Sequence, residues 1–287
     1  MLEILNKELK SYFHSSSSYI FLFVFLLISG IFFTLSNLIP SSGDYPNLLY
    51  AMVFVFLFLV PILTMKTIAS ETHEKTDQLL LTTPLRIWEI VLGKFFAAAA
   101  VFLLAVVITF IYPIILKSFG AIPLGETIGA YIGFILIGLC FISIGIFVSS
   151  LTENQVTAAV GTFGALFIIW ILDWIGSGLP TTTTSGVIFA VVLVVLISLF
   201  LYYNTQNILV SISTGIIGSL IVLVVYLKNK NLYDGFISKF VDWFSLIKRY
   251  EPFNMGMLSA SSIAYYISFC VFFIILTINI IDRRRWS

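Results

Sequence analysis

Apolar residues fall along this chain in eight blocks, uncharged except for Asp173 near the end of the fifth, each near the length of about 20 residues that carries an α-helix across the hydrocarbon of a bilayer. The blocks are Tyr19–Ile39, Leu48–Met65, Phe95–Leu116, Thr127–Ser149, Val156–Ile175, Val187–Tyr203, Ile208–Leu227 and Ile263–Ile281. Each predicts a membrane-spanning helix. The first holds fifteen Leu, Ile, Phe or Val residues between Ile20 and Ile39, which makes its insertion favourable. Only Asn204, Thr205, Gln206 and Asn207 separate the sixth block from the seventh. That pair reads either as two full spans or as a shallower hairpin, and both readings leave the two chain ends on the same side.

Two further stretches repeat apolar residues at helical spacing with charges between them. Leu2, Leu5, Leu9, Tyr12 and Phe13 share one face, with Glu3, Lys7, Glu8 and Lys10 largely elsewhere. Residues 1–18 therefore predict an amphipathic helix on the inner leaflet, and Ser15–Ser18 turn the chain into the bilayer. Between residues 228 and 262, Leu232, Phe236, Phe240, Phe244 and Ile247 form one face, and Asp234, Ser238, Lys239, Asp242, Ser245 and Arg249 supply polar positions. This predicts an interfacial helix on the outer side. Lipid anchoring is the simpler role for both.

Composition agrees with a lipid-embedded chain. The 287 residues include 15 Lys or Arg and 14 Asp or Glu, and the mean hydropathy is +1.08. A soluble domain carries about 25% charged residues, against 10% in this chain, so an ordinary soluble domain and a disordered chain are both excluded. A net charge of +1 gives no global field for nucleic acid. Location matters more than total. With both termini inside, Lys7, Lys10, Lys66, Lys75, Arg86, Lys94, Arg283, Arg284 and Arg285 face the cytoplasm, nine of the 15 basic residues. Five of the other six lie in one outer segment, where Asp234, Asp242 and Glu251 are interleaved with them. Glu3 and Glu8 argue against a cleavable signal peptide.

The connection from Lys66 to Lys94 is the most polar part of the predicted cytoplasmic face. It holds Lys66, Glu71, His73, Glu74, Lys75, Asp77, Arg86, Glu89 and Lys94 between two apolar blocks. The second span is expected to continue as helix to Glu74, followed by a short helical turn over Thr76–Leu81. Thr83 then caps a new helix with Pro84 at its first position. Ile87, Trp88, Val91 and Phe95 share a face of that helix. The result is a helical knob tipped by Leu79, Leu80 and Leu81, whose exposed leucines need cover from lipid, from their own chain or from a partner protein.

Other candidate positions have simpler readings. Thr152 and Gln155 match a capping box at the start of the fifth span. Gly129 and Gly133 on the fourth span, and Gly161 and Gly164 on the fifth, mark faces where helices can approach closely. Asp173, between Trp170 and Trp174, is the one acidic residue near enough to the membrane to raise a functional question, with snorkelling to water the leading reading. Cys140 and Cys270 lie in apolar runs and suggest no disulfide framework or metal spacing. His14 and His73 are isolated. No nucleophile, carboxylate pair or metal-ligand cluster emerges. The chain also lacks a G-x-x-x-x-G-K-[ST] phosphate loop, because Phe95 follows Gly93-Lys94 and no glycine sits five residues before Gly93.

Four stretches carry a family resemblance: KELKSYFHSSSSYIFLFVFLLISGIFF from Lys7, ASETHEKTDQLLLTTPLRIWEIVLGKF from Ala69, SSLTENQVTAA from Ser149 and IAYYISFCVFFIILTINIIDRRRW from Ile263. The chain resembles the permease subunits of type-2 ATP-binding-cassette exporters, especially the branch with the gliding-motility permeases. In that family the connection after the second span has a Glu, a Gly-Thr pair, a leucine cluster, a Pro and a Gly-Lys pair. Glu71, Thr76, Leu79, Leu80, Pro84, Gly93 and Lys94 fit, while Lys75 stands where the family usually has Gly.

The resemblance implies an all-α polytopic membrane protein with six family-like spans and an inserted pair at 187–227. It implies that Glu71, Thr76, Leu79, Leu80, Leu81, Pro84 and Trp88 belong to a coupling helix that seats in a separate ATPase subunit. It further implies that ATP and Mg bind in that partner and no cofactor binds in this chain. The expected assembly pairs two permease chains with two ATPase chains in a bacterial plasma membrane. Two alternatives differ in class: an ion-coupled secondary carrier, motivated by Asp173, and a membrane scaffold that recruits a cytoplasmic protein through the same knob. Substrate residues are not legible.

Overall fold

The computed structural model describes residues 2–76, 86–120 and 123–286. Among these, every regular element is helical, and eight helices have the length and hydropathy to cross a membrane: Ser16–Leu38, Tyr45–His73, Ile87–Ser118, Leu124–Ser150, Gln155–Gly176, Thr183–Tyr203, Ile208–Lys228 and Ala260–Arg284. The sixth and seventh have 21 residues each, about 32 Å of helix. Both are thus long enough for full spans.

The helical elements are α1 (Leu2–His14), α2 (Ser16–Phe33), α3 (Tyr45–Thr64), α4 (Ala69–His73), α5 (Ile87–Thr109), α6 (Ile111–Phe119) and α7 (Leu124–Ser150). They continue with α8 (Gln155–Gly178), α9 (Thr183–Thr205), α10 (Ile208–Lys228), α11 (Phe236–Phe244), α12 (Glu251–Asn254) and α13 (Ala260–Trp286). The chain divides into two compact units, residues 1–168 with 249–287, and residues 169–248.

In the first unit α7 is the helix on which the others assemble, with α3, α5, α12 and α13 packed against it. Transfer from lipid to a protein interior yields little hydrophobic driving force, so close van der Waals fit must hold these helices together. Glycines on α7 supply that fit. A Cβ at Gly133 would lie 2.8 Å from both the Phe253 Cβ and a Tyr250 ring carbon, at Gly138 2.4 Å from the Phe102 ring, and at Gly145 2.3 Å from Thr64 Oγ1. At Gly129 it would meet the Phe253 carbonyl oxygen at 2.8 Å. Between the helices, rings of Phe25, Phe56, Phe102 and Phe134 interlock, with Phe56 and Phe134 centroids 4.7 Å apart.

Polar groups in this unit are matched to breaks in the helices. Pro113 lacks an N–H, so the carbonyl of Thr109 four residues earlier has no partner from that turn. Tyr131 Oη donates to this carbonyl at 3.0 Å and is itself 2.7 Å from Tyr45 Oη. The third span is accordingly split between α5 and α6.

Helix α1 differs in detail from the pattern read along its sequence. Its buried residues are Ile4, Glu8 and Tyr12, at intervals of four, and it packs on α5 and α2. Leu5 and Leu9 are half-buried, and Glu8 is turned inward rather than left with the polar residues.

The second unit contains the α9–α10 pair and the segment that follows it. Ser198 Oγ and Ser211 Oγ each donate to the other's carbonyl, at 2.7 and 2.8 Å. Tyr233, not Leu232, is the buried residue after α10, and its hydroxyl donates to Val222 O at 2.9 Å. Leu232 is exposed because the chain there forms a 3-10 turn over Lys230–Tyr233, which breaks the predicted α-helical spacing. Ser245 Oγ donates to Asp173 Oδ1 at 2.7 Å, so this half-buried carboxylate has a protein partner.

Gly138→Val is expected to destabilise the chain by about 1–3 kcal/mol through a clash with the Phe102 ring. Gly164→Ala, with nothing within 4 Å of the added Cβ, should be neutral or stabilising through helix propensity. Thermal unfolding of both variants in the same detergent checks the contrast.

Candidate functional site

The base of the polar connection is built where the second span loses its helical hydrogen bonds. Pro61 lies inside α3, and the helix gives out at Thr64, with residues 65–68 forming turns. The N–H groups of Ile68 and Ala69 donate to Ser149 Oγ on α7, at 3.2 and 3.1 Å. Ser149 Oγ donates in turn to Met65 O at 3.3 Å. One hydroxyl thus serves three backbone groups that would otherwise be orphaned in a buried turn. Gly145, one turn earlier on α7, leaves room for Thr64 to approach.

Beside this turn lies a buried charge cluster. Lys94 is 2% exposed, and its Nζ lies 2.8 Å from Glu71 Oε1 and 3.0 Å from Glu8 Oε1, with a further bond to Thr67 O at 2.9 Å. The ammonium thus donates two hydrogen bonds, to Glu8 and to Thr67 O, and forms an ion pair with Glu71. Lys7 Nζ approaches the same Glu71 oxygen at 3.7 Å from the exposed side of α1. Removing one partner of a buried ion pair costs about 3–5 kcal/mol, because the other charge is left stranded. Gly93, next to Lys94, lets α1 come close, since a Cβ there would sit 2.8 Å from Ile4 Cγ2.

Tyr12 completes the contact from α1. Its hydroxyl donates to Leu63 O at 3.3 Å and shares a 3.0 Å hydrogen bond with Thr67 Oγ1. Burial pushes this phenol well above its ordinary pKa, the bond to Thr67 opposes the shift, and the charges of Glu8 and Glu71 reinforce it. The neutral hydroxyl is therefore a permanent donor. From the far end of the chain, Arg284 on α13 donates from Nη1 to Thr72 Oγ1 at 3.1 Å. Helices α1, α5, α7 and α13 all bond the short stretch 65–72.

The structure brings only part of the predicted site together. Glu71 is half-buried in the charge cluster, and Thr76 Oγ1 donates to the Glu71 carbonyl at 3.3 Å. Trp88 is 41% exposed, whereas Ile87, Val91 and Phe95 are buried, so it does not share their inward face. Leu79, Leu80, Leu81, Thr83 and Pro84 lie outside the described residues, but the helix expected to open at Pro84 under a Thr83 cap begins instead at Ile87: Arg86 is extended and is its N-cap, and Arg86 N donates to Glu89 Oε2 at 3.1 Å. Lys75 adopts a left-handed backbone with φ of 57°, the conformation glycine accepts most readily. It does so at the position where the resembling permeases usually have Gly.

Among the packing glycines, Gly129 and Gly133 face the segment Tyr250–Gly256, and Gly161 faces Val148 at 2.9 Å, while Gly164 faces open space. At the start of α8 it is Asn154, not Thr152, that caps: its Oδ1 accepts from the N–H groups of Val156 and Thr157, and Thr152 Oγ1 accepts from Asn154 N. Asn154 immediately precedes the helix and so reaches its free N–H groups directly.

Sequence reasoning missed Glu8 and the partnership of Lys94. Two signals existed: Ile4, Glu8 and Tyr12 share one stripe at intervals of four, and Lys94 is a single cation directly before an apolar run. The two cysteines were also read singly, yet Cys140 Sγ and Cys270 Sγ lie 3.4 Å apart as free thiols on α7 and α13.

Eight candidate spans, with a charged connection gripped at its base by four helices, define a multi-pass α-helical membrane protein. The chain belongs to the ABC-2 family of transporter proteins: the model of the family described as ABC-2 family transporter protein matches residues 2–281. Members of that family are membrane components of ABC transporters, typically without an ATPase site of their own, and imply an ATP-binding-cassette partner. No curated protein matches the chain.

Lys75→Gly should stabilise the protein by about 1 kcal/mol by relieving the left-handed strain of a residue with a Cβ. Lys75→Val should lower stability. Thermal unfolding of the two variants gives the sign of each effect.

Proposed function

We propose that this chain is the permease subunit of an ATP-driven exporter, coupled through residues 66–94 to a separate ATPase subunit that binds ATP and Mg. The observation that carries the reading is the bonding of four helices to residues 65–72, immediately before a leucine-rich connection. A knob anchored in this way can deliver displacement into the spans, because each attached helix must move with it or lose a buried hydrogen bond. The leucines at 79–81 serve as the apolar anchor on the ATPase, and the surrounding charges set encounter and register.

The working assembly in this proposal is two permease chains and two ATPase chains in a bacterial plasma membrane, with residues 66–94 on the cytoplasmic side. The excess of Lys and Arg on that side supports the orientation. The substrate path lies between the two permease chains.

Replacing Leu79 and Leu80 together by Asp is expected to abolish co-purification with the ATPase subunit and permease-stimulated hydrolysis, while the isolated permease keeps its thermal midpoint. Unchanged assembly and unchanged stimulation would remove the coupling role from this connection.

A further inference from the structure

Lys94 holds two carboxylates where one would balance its charge. A buried ammonium without a partner is strongly disfavoured, so Lys94 must keep a carboxylate at every stage of any movement. Its two partners differ in what holds them. Glu8 lies on α1, and Ile4 of that helix packs against Gly93, the neighbour of Lys94, which makes Glu8 and Lys94 parts of one packed body. Glu71 lies on α4, a helix of five residues with turns at 65–68 on one side and the left-handed Lys75 two residues beyond its other end. Glu71 also has a second cation within reach. Lys7 Nζ is 3.7 Å away, and its side chain is 61% exposed and free to follow toward water.

We infer that Lys94 is a positioning residue that exchanges partners: Glu71 leaves Lys94 and stays with Lys7 when the connection moves, while Glu8 remains on Lys94. The exchange lets a charged segment shift against a buried lysine without stranding either charge. Glu8 supplies the second carboxylate that makes this possible, and α1 thereby becomes a fixed strut of the bundle in addition to any contact with lipid. The exchange rests on the reading of residues 66–94 as the ATPase contact.

The test uses the full chain with its ATPase subunit in lipid nanodiscs, comparing permease-stimulated hydrolysis and thermal midpoint for Glu71→Gln, Lys7→Gln and Glu8→Gln. Lys7→Gln should keep the parent's midpoint, Glu71→Gln should lower it less than Glu8→Gln does, and both Lys7→Gln and Glu71→Gln should lower stimulation by about tenfold. Glu8→Gln should lower the midpoint and expose α1, read as faster labelling of an Ile4→Cys reporter by a water-soluble maleimide. Should Glu8→Gln fail to fold, Glu8→Gln combined with Lys94→Met removes both charges, and it should recover the midpoint while stimulation stays low.

Full stimulation in Glu71→Gln, or stimulation that merely tracks the midpoint through the series, would overturn the exchange. The leucine variant separates the two failures. If Leu79→Asp with Leu80→Asp leaves stimulation intact, the ATPase-contact reading is wrong; if that variant uncouples and Glu71→Gln does not, the exchange alone is wrong.

Discussion

A single ammonium group buried at the end of a lipid-embedded bundle constrains everything around it. Lys94 cannot reach water, so its charge must be met inside the protein: it donates to Glu8 and to the carbonyl of Thr67, and Glu71 is ion-paired with it. Each partner comes from a different place in the chain: α1, α4 and the turn that ends the second span. Meeting the charge therefore fixes where α1 lies, where the second span stops and how the polar connection leaves the bundle. Gly93 is a corollary of the same demand, because α1 could not bring Glu8 to Lys94 if a side chain stood in the way of Ile4.

Away from this end, the fold depends on shape rather than on water. Lipid solvates an exposed Leu as well as a neighbouring helix does, which is why α9 and α10 can leave most of their apolar surface uncovered. Helices that must stay together need contacts lipid cannot imitate. On α7 these are glycines that admit a carbonyl, a Tyr and Phe pair, a ring and a threonine, together with the Tyr131 hydroxyl aimed at the Thr109 carbonyl that Pro113 has left free. The aromatic rings of Phe25, Phe56, Phe102 and Phe134 fill the volume between helices that glycine brings close.

The contrast between these two regimes explains what was legible in the sequence. Membrane spans are set by composition over about 20 residues, a one-dimensional property, and all eight could be read. The start of the sixth moved from Val187 to Thr183, where the Thr182 side chain takes a free helical N–H group, whereas the fifth moved only from Val156 to Gln155, next to the Asn154 cap. The charge cluster was hidden for a different reason. Lys94 and Glu8 are 86 positions apart, and periodicity reports only which face of a helix a residue occupies. Glu8 looked solvated because it is charged, whereas its stripe partners Ile4 and Tyr12 carried the information that it faces inward. The Gly-Lys pair was visible only as part of a family pattern, and its physical meaning needed the partner helix.

Hydrogen-bond accounting links the two regimes. A helix transmits displacement along its axis because each turn is bonded to the next, and that continuity is interrupted at residues 65–68, where α3 ends in turns. Ser149 Oγ takes up the N–H groups of Ile68 and Ala69 and bonds the carbonyl of Met65, so the base of the connection is bonded to α7 as well as to the helix that precedes it in sequence. Thr64 seated on Gly145 tightens the same contact. The stretch around residue 69 is thereby joined directly to α7, on which α3, α5, α12 and α13 are packed. The break in one helix is what joins the connection to the whole first unit.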